Sequence, residues 1–203
     1  IPIQITPRKV IAVNGGANSG STGSSGATGS SDATVSALAV EHEGIPDFRM
    51  DFAVAIYLYT IDTPKLYEII NTAAHSADRE EGPGGLSPQL RACMPFIKFL
   101  DCALEALPDK YVFAGRVNRG VKWAFPTPDD HDPEAHFFKG KQFFWYEFKS
   151  AAQKFDVMYN EMFCGESGPR TIFTIDACQS YMIAKFSQFP TEAEALFRPL
   201  AQF

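Results

Sequence analysis

Basic residues are in short supply. Lys and Arg total 18 against 24 Asp and Glu, a net charge of −6 over 203 residues. A sequence-independent nucleic-acid binder needs a net basic face, and an anionic membrane surface selects for the same feature, so neither is expected as a partner. No uninterrupted apolar stretch approaches the roughly 20 residues of a membrane span, which predicts a soluble protein. Cysteines number four (Cys93, Cys102, Cys164 and Cys178), too few and too scattered for a disulfide scaffold, although two bridges stay open in a secreted protein. None forms a CxxC pair, and no metal is expected. The sequence opens at Ile1 without a Met, a basic n-region or an apolar h-region. It therefore reads as a processed or trimmed product whose targeting signal is not legible, with the cytoplasm placed ahead of secretion. Oligomeric state is not legible either.

Apolar residues are plentiful. They make up 45% of the chain and include eighteen Phe, enough for a substantial core. Residues 1–40 read as a strand-like arm, with Pro2 and Pro7 keeping it from a sheet centre, followed by a Gly/Ser-rich linker. Residues 41–203 read as the folded domain. The linker is no phosphate loop, because no Gly-Lys-Ser/Thr follows its glycines. From Met50 the apolar period is helical. Phe52, Ile56 and Tyr59 share one face, and Asp62-Thr63-Pro64 resembles an N-cap with Pro at the first helical position. Leu66, Ile69, Ile70 and Ala73 then form a stripe that ends between Asp78 and Gly85. Ser87-Pro88 opens a helix carrying Leu90, Phe96, Ile97, Leu100, Leu104 and Leu107, with Pro95 as a candidate kink and Pro108 as the stop. Beyond Tyr111 the texture is that of strands: Tyr111–Phe113, Lys141–Ser150, Thr171–Ile175 and Ala195–Phe197. Helices followed by strands predict an α+β fold.

The most informative segment is Glu192-Ala193-Glu194, running into Ala195-Leu196-Phe197. On a strand, carboxylates at i and i+2 point to one side, and their mutual repulsion raises at least one pKa in an enclosed site. Such a pair suits a reaction in which one carboxylate faces a cationic transition state and the other handles a proton or an incoming cation. Asp129-Asp130-His131-Asp132 and His136 have metal-ligand chemistry but lie in a Pro-rich stretch that reads as a solvated loop. His42 and His75 read as surface residues, and Cys164 has no His partner nearby in sequence. The run Phe143-Phe144-Trp145-Tyr146 reads as core, or as the source of a ring against which a bound aromatic cofactor stacks.

Taken in order, Ile56-Tyr57-Leu58-Tyr59-Thr60, Leu66 to Asn71, Ala103 to Pro108, Gly168 to Ile175, Ile183 to Pro190 and the Glu-x-Glu element resemble the mono-ADP-ribosyltransferases, arginine-specific branch, over Phe52 to Phe203. The family's aromatic residue followed by Ser-Thr-Ser corresponds to Phe148-Lys149-Ser150-Ala151-Ala152, which keeps the first serine. Its Tyr-Arg-Gly corresponds directly to Phe113-Ala114-Gly115, leaving Ala114 where an arginine belongs. Arg116 and Arg119 are the nearby replacements, Arg119 heading a second Arg-Gly.

The resemblance implies an ADP-ribosyltransferase-like α+β fold, a split β core holding an NAD cleft with the amino-terminal helices packed on it. NAD would be the substrate, and a protein with an exposed arginine the acceptor. Glu194 would face the ribose cation, and Glu192 would orient the target guanidinium. Ser150 would hold Glu194, and Arg116 or Arg119 would grip the phosphates. The backbone of Gly115 or Gly120 would bond the nicotinamide amide. Two other readings stay open: a catalytically impaired pseudoenzyme serving as a binding or structural subunit, on account of Ala114, Ala151 and Ala152, and an NAD glycohydrolase, with water in place of arginine.

Overall fold

The helices come first and the sheet second. A computed structural model describes residues 4–8, 48–75, 85–125, 127, 129–130, 132–161 and 163–203. Helix α1 (Met50–Thr60), α2 (Leu66–His75) and α3 (Pro88–Glu105) precede most of the strands, and a single turn, α4 (Pro133–His136), lies among them. The strands are β1 (Gln4–Arg8), β2 (Val112–Val121), β3 (Phe144–Trp145), β4 (Lys149–Ala152), β5 (Thr171–Met182), β6 (Glu194–Phe197) and β7 (Ala201–Gln202). No helix among the described residues is long and apolar enough to cross a membrane.

Ser87 and Pro88 start α3 as the sequence predicts. The Leu90 N–H donates to Ser87 Oγ at 3.2 Å, satisfying one of the amides that a helix N-terminus leaves unpaired, and Pro88 sits in the first turn. The helix runs through Pro95 to Glu105. Two expectations need correction. Helix α2 begins at Leu66, because Asp62 to Lys65 form a separate turn in which the Leu66 N–H donates to the Pro64 carbonyl, so Pro64 is not its first residue. Ile69 is 57% exposed, because α2 turns Ile70, Ala73 and Ala74 inward instead. The expected end of this helix at Asp78 lies outside the described residues.

Five strands form one sheet in the order β1-β5-β2-β4-β6, every pairing antiparallel. The far end of β5 also pairs with β6 through Tyr181↔Leu196 and Met182↔Ala195, so β5, β2, β4 and β6 close into a ring. The weakest seam is between β2 and β4, where Asn118↔Ala152 is the single register pair. Strand β1 occupies the edge, a position compatible with Pro7, which faces Phe173. The Gly/Ser-rich linker and His42 lie outside the described residues.

β2 and β5 extend well beyond the expected Tyr111–Phe113 and Thr171–Ile175. Their continuations are polar, and it is cross-strand pairing from Arg116↔Asp176 to Val112↔Tyr181 that holds them extended. The expected strand Lys141–Ser150 is two strands, separated where Glu147 and Phe148 turn inward.

Apolar layers cover both faces. On one, α1, α2 and α3 pack Ile56, Tyr59, Ile70, Leu100 and Leu104 against Phe148, Tyr181 and Leu196. On the other, Val117, Phe173, Ile175, Phe197 and Phe203 meet Phe137, Phe143 and Trp145 in edge-on and tilted ring contacts. Much of the phenylalanine content is spent here. Phe143 and Trp145 point into this layer while Phe144 and Tyr146 are exposed, the alternation expected of a strand.

Candidate functional site

Glu194 opens β6 and lies opposite Ala152 of β4, with only 7% of its surface exposed. Ser150 is two residues before Ala152 on the same face of β4, and its hydroxyl donates to the Glu194 carboxylate. Burial is the strongest influence and raises the Glu194 pKa from 4.5 to about 7; the Ser150 hydrogen bond and the Arg119 charge oppose the rise, and the Glu192 charge adds to it.

Glu192 reaches this neighbourhood by a different route from the predicted one. It closes the 3-10 turn Pro190–Glu192, and Ala193 follows in the left-handed conformation at φ 46° and ψ 48°. The two carboxylates are therefore set by a turn rather than by strand alternation. A left-handed alanine costs roughly 1 kcal/mol, held here by what surrounds it. Part of that hold comes from α1. The Gln188 N–H donates to Thr60 Oγ1 at 3.0 Å, and the Asp62 N–H donates to Gln188 Oε1 at 2.8 Å. Glu192 is half-buried, and burial raises its pKa as well.

The two candidate arginines part company. Arg119 follows Asn118, the residue of β2 that meets β4, and its guanidinium donates to the Ser150 carbonyl at 2.5 Å and lies 5.7 Å over the Trp145 ring. Among the described residues this is the one hydrogen bond it makes, so most of its five donors are uncommitted. Arg116, three residues back along the strand, is exposed and binds Asp176 along its Nε–Nη2 edge at 2.9 and 3.1 Å. Ala114 is exposed beside the β-bulge between Phe113 and Gly115.

Both candidate glycines have packing reasons to be glycine. A Cβ on Gly115, at φ 150°, would stand 2.9 Å from the Phe113 ring, and one on Gly120 would stand 2.5 Å from Cys164 Cβ. Cys164 is buried beside Met158 and cannot retreat as a flexible side-chain end would. Gly120→Ala is expected to lose about 1 to 3 kcal/mol in urea unfolding by overpacking this seam. An unchanged midpoint would show that the seam has room.

Sequence reading missed a polar extension of the site. Tyr59 of α1 is buried and accepts a hydrogen bond from Asn71 Nδ2 at 3.0 Å; burial pushes its hydroxyl pKa upward, and the Glu194, Arg119 and Glu147 charges all act on it. Glu147 is 2% exposed, with Oε1 bonded by Lys149 Nζ and 3.3 Å from His75 Nδ1. Glu147 and Lys149 were visible as charges inside an aromatic run. Tyr59 and Asn71 stand in two of the stretches that carry the resemblance, but nothing in the sequence marks them as partners.

Among the described residues, no group of three or more His, Cys, Asp or Glu side chains is arranged to hold a metal ion. His131 lies outside them, and His136 stacks on Phe125 at 5.5 Å. The four cysteines are free thiols.

The model of the family described as NAD:arginine ADP-ribosyltransferase matches residues 39–203. No curated protein sequence gives a significant match. Solved structures do. The ADP-ribosyltransferase HopU1 of Pseudomonas syringae pv. Tomato is 22% identical, with a TM-score of 0.62 over 82% of this chain and 73% of its own. The ADP-ribosyltransferase Vis, solved with agmatine, is 18% identical, with a TM-score of 0.55 over 86% of this chain and 77% of its own. A mutant of the eukaryotic mono-ADP-ribosyltransferase ART2.2, solved with NAD, is 16% identical, with a TM-score of 0.57 over 83% and 66%. At these identities the likeness is one of fold.

Proposed function

The chain belongs to the NAD:arginine ADP-ribosyltransferase family, and from that premise we propose that it cleaves NAD at the nicotinamide–ribose bond and transfers ADP-ribose to an arginine side chain of a protein. The observation that carries the proposal is a buried Glu194 held by Ser150, with Glu192 and Arg119 close enough to act on its charge. Breaking the nicotinamide–ribose bond builds positive charge on the ribose, as glycoside cleavage does. Ionised Glu194, fixed by the Ser150 hydroxyl in a site shielded from water, faces that charge without having to reorganise. Glu192 orients the acceptor guanidinium and takes its proton as attack proceeds, because a free guanidinium is too weak an acid to lose it beforehand.

The pyrophosphate of NAD needs a guanidinium with donors to spare. Arg119 has them and lies beside Ser150, whereas Arg116 is exposed, points to the other side of β2 and is held along its Nε–Nη2 edge by Asp176. Gly120, next to Arg119, and Gly115, at the bulge, are the proposed backbone contacts to the nicotinamide amide. The agmatine and NAD bound to the two relatives are the substrates this reading gives the chain.

The pseudoenzyme reading rests on Ala114, Ala151 and Ala152. Against it stands Arg119, which supplies the charge that Ala114 lacks; Ala151 and Ala152 are buried among apolar neighbours. The deciding measurement is nicotinamide release from NAD with agmatine present. Glu192→Gln is expected to slow agmatine labelling about a hundredfold while NAD hydrolysis persists. Undiminished labelling would remove Glu192 from the transfer step, and hydrolysis without labelling in the unmodified protein would make the chain an NAD glycohydrolase.

A further inference from the structure

Arg119 leaves β2 on the same side as Val117 and Val121, toward the aromatic layer on the face of the sheet opposite the helices. There its Cζ stands 5.7 Å over the Trp145 ring, within the roughly 6 Å over which an aromatic face attracts a cation. The Ser150 carbonyl accepts one of its N–H groups, and among the described residues no other hydrogen bond fixes the fork. A single hydrogen bond anchors one point and leaves the guanidinium plane free to swing about it. A ring beside the plane restricts that swing. Burial strips water from the guanidinium and lowers its pKa against the raising influence of Tyr59, Glu147 and Glu194. A cation without its water is the kind that an aromatic face attracts most.

Trp145 is held firmly enough to act as that wall. Its residue pairs with Ala201 of β7, and its ring centroid lies 4.1 Å from that of Phe203, 5.9 Å from Phe197 and 6.4 Å from Phe173. Phe173, Phe197 and Phe203 are buried, so the indole leans on rings that have little room to turn.

We propose that Trp145 is a positioning residue for NAD binding: its ring holds the Arg119 guanidinium so that the N–H groups left free by Ser150 face the pyrophosphate. The proposal rests on the assignment of Arg119 to the pyrophosphate. It gives the ring of Trp145 to a protein cation and not to a stacked cofactor.

Trp145→Leu keeps an apolar side chain in the layer and removes the ring, and Trp145→Phe keeps a ring with a weaker pull on a cation. Both are compared with the parent by calorimetric titration with NAD and by release of radiolabelled nicotinamide. Trp145→Leu is expected to weaken NAD binding and raise KM about tenfold with kcat within about twofold, and Trp145→Phe to do so about threefold. In an Arg119→Ala background, either change is expected to alter kcat/KM by less than about twofold, because no cation is left for the ring to hold. A tryptophan that only filled the layer would cost as much in that background as in the parent.

Unchanged NAD affinity in Trp145→Leu, or equal losses in the two backgrounds, would overturn the proposal while NAD binding by the parent stands. A parent that does not bind NAD would overturn the function assigned to Arg119 and this proposal with it. Where Trp145→Leu does not fold, Trp145→Phe in the two backgrounds decides the matter.

Discussion

Glu194→Gln is expected to lower nicotinamide release by about a thousandfold and, at pH 8, to make the protein more stable. The first effect follows from removing the fixed negative charge opposite a developing ribose cation, the kind of preorganised contact whose loss costs two to three orders of magnitude. The second follows from the price of holding that charge. The Glu194 pKa lies near 7 in the folded chain against an ordinary 4.5, chiefly because the side chain is buried. Between these values the unfolded chain ionises first, so stability falls as pH rises from 4.5 and the loss is complete above 7. The full difference corresponds to roughly 3 kcal/mol. Glutamine keeps an oxygen for the Ser150 hydroxyl and carries no charge, so it escapes the penalty. Calorimetric melting of the two proteins is expected to diverge at pH 8 and converge toward pH 5. The activity of the unmodified enzyme is expected to rise with pH through a midpoint near 7, as the carboxylate forms. Equal melting temperatures at pH 8 would mean that Glu194 is not a buried ionised carboxylate. Undiminished release by the variant would remove it from the chemistry.

What was legible in the sequence depends on whether the interactions that shape it are local. The helices announce themselves through local chemistry: an apolar period of 3.6 and the Ser87-Pro88 start both act within one turn. The same is true of Glu192 and Glu194, an acidic pair at the mouth of an apolar strand. β2 is different. Gly115, Arg116, Asn118, Arg119 and Gly120 are weak strand formers, and it is pairing with β5, about 60 residues away, that makes them a strand. Without that register, Arg116 and Arg119 are equivalent candidates; with it, they face opposite ways. Tyr59 of α1 bonds Asn71 of α2 and feels the charge of Glu147, which lies between β3 and β4, and nothing local to any of them marks the meeting. The spacing of Glu192 and Glu194 is set by a left-handed Ala193, a conformation that alanine in a sequence does not signal.

The register of β2 therefore yields a prediction that separates two residues of the same type. Arg119→Ala is expected to reduce kcat/KM for NAD by about a thousandfold, since two or more charge-assisted hydrogen bonds to a pyrophosphate contribute about 1.5 to 3 kcal/mol each. Arg119→Lys keeps the charge without the planar fork and is expected to fall between the variant and the parent, mostly through a higher KM. Arg116→Ala is expected to change kcat/KM by less than about twofold, because its ion pair with Asp176 is exposed, contributes little and faces away from the site. The pH profile gives an independent readout. The Arg119 charge holds the Glu194 pKa down against burial, so removing it shifts the activity midpoint above 7, while Arg119→Lys leaves it nearly in place. A merely structural arginine would lower the amplitude without moving the midpoint. Loss of activity in Arg116→Ala with retention in Arg119→Ala would reverse the assignment and with it the register of β2 against β4.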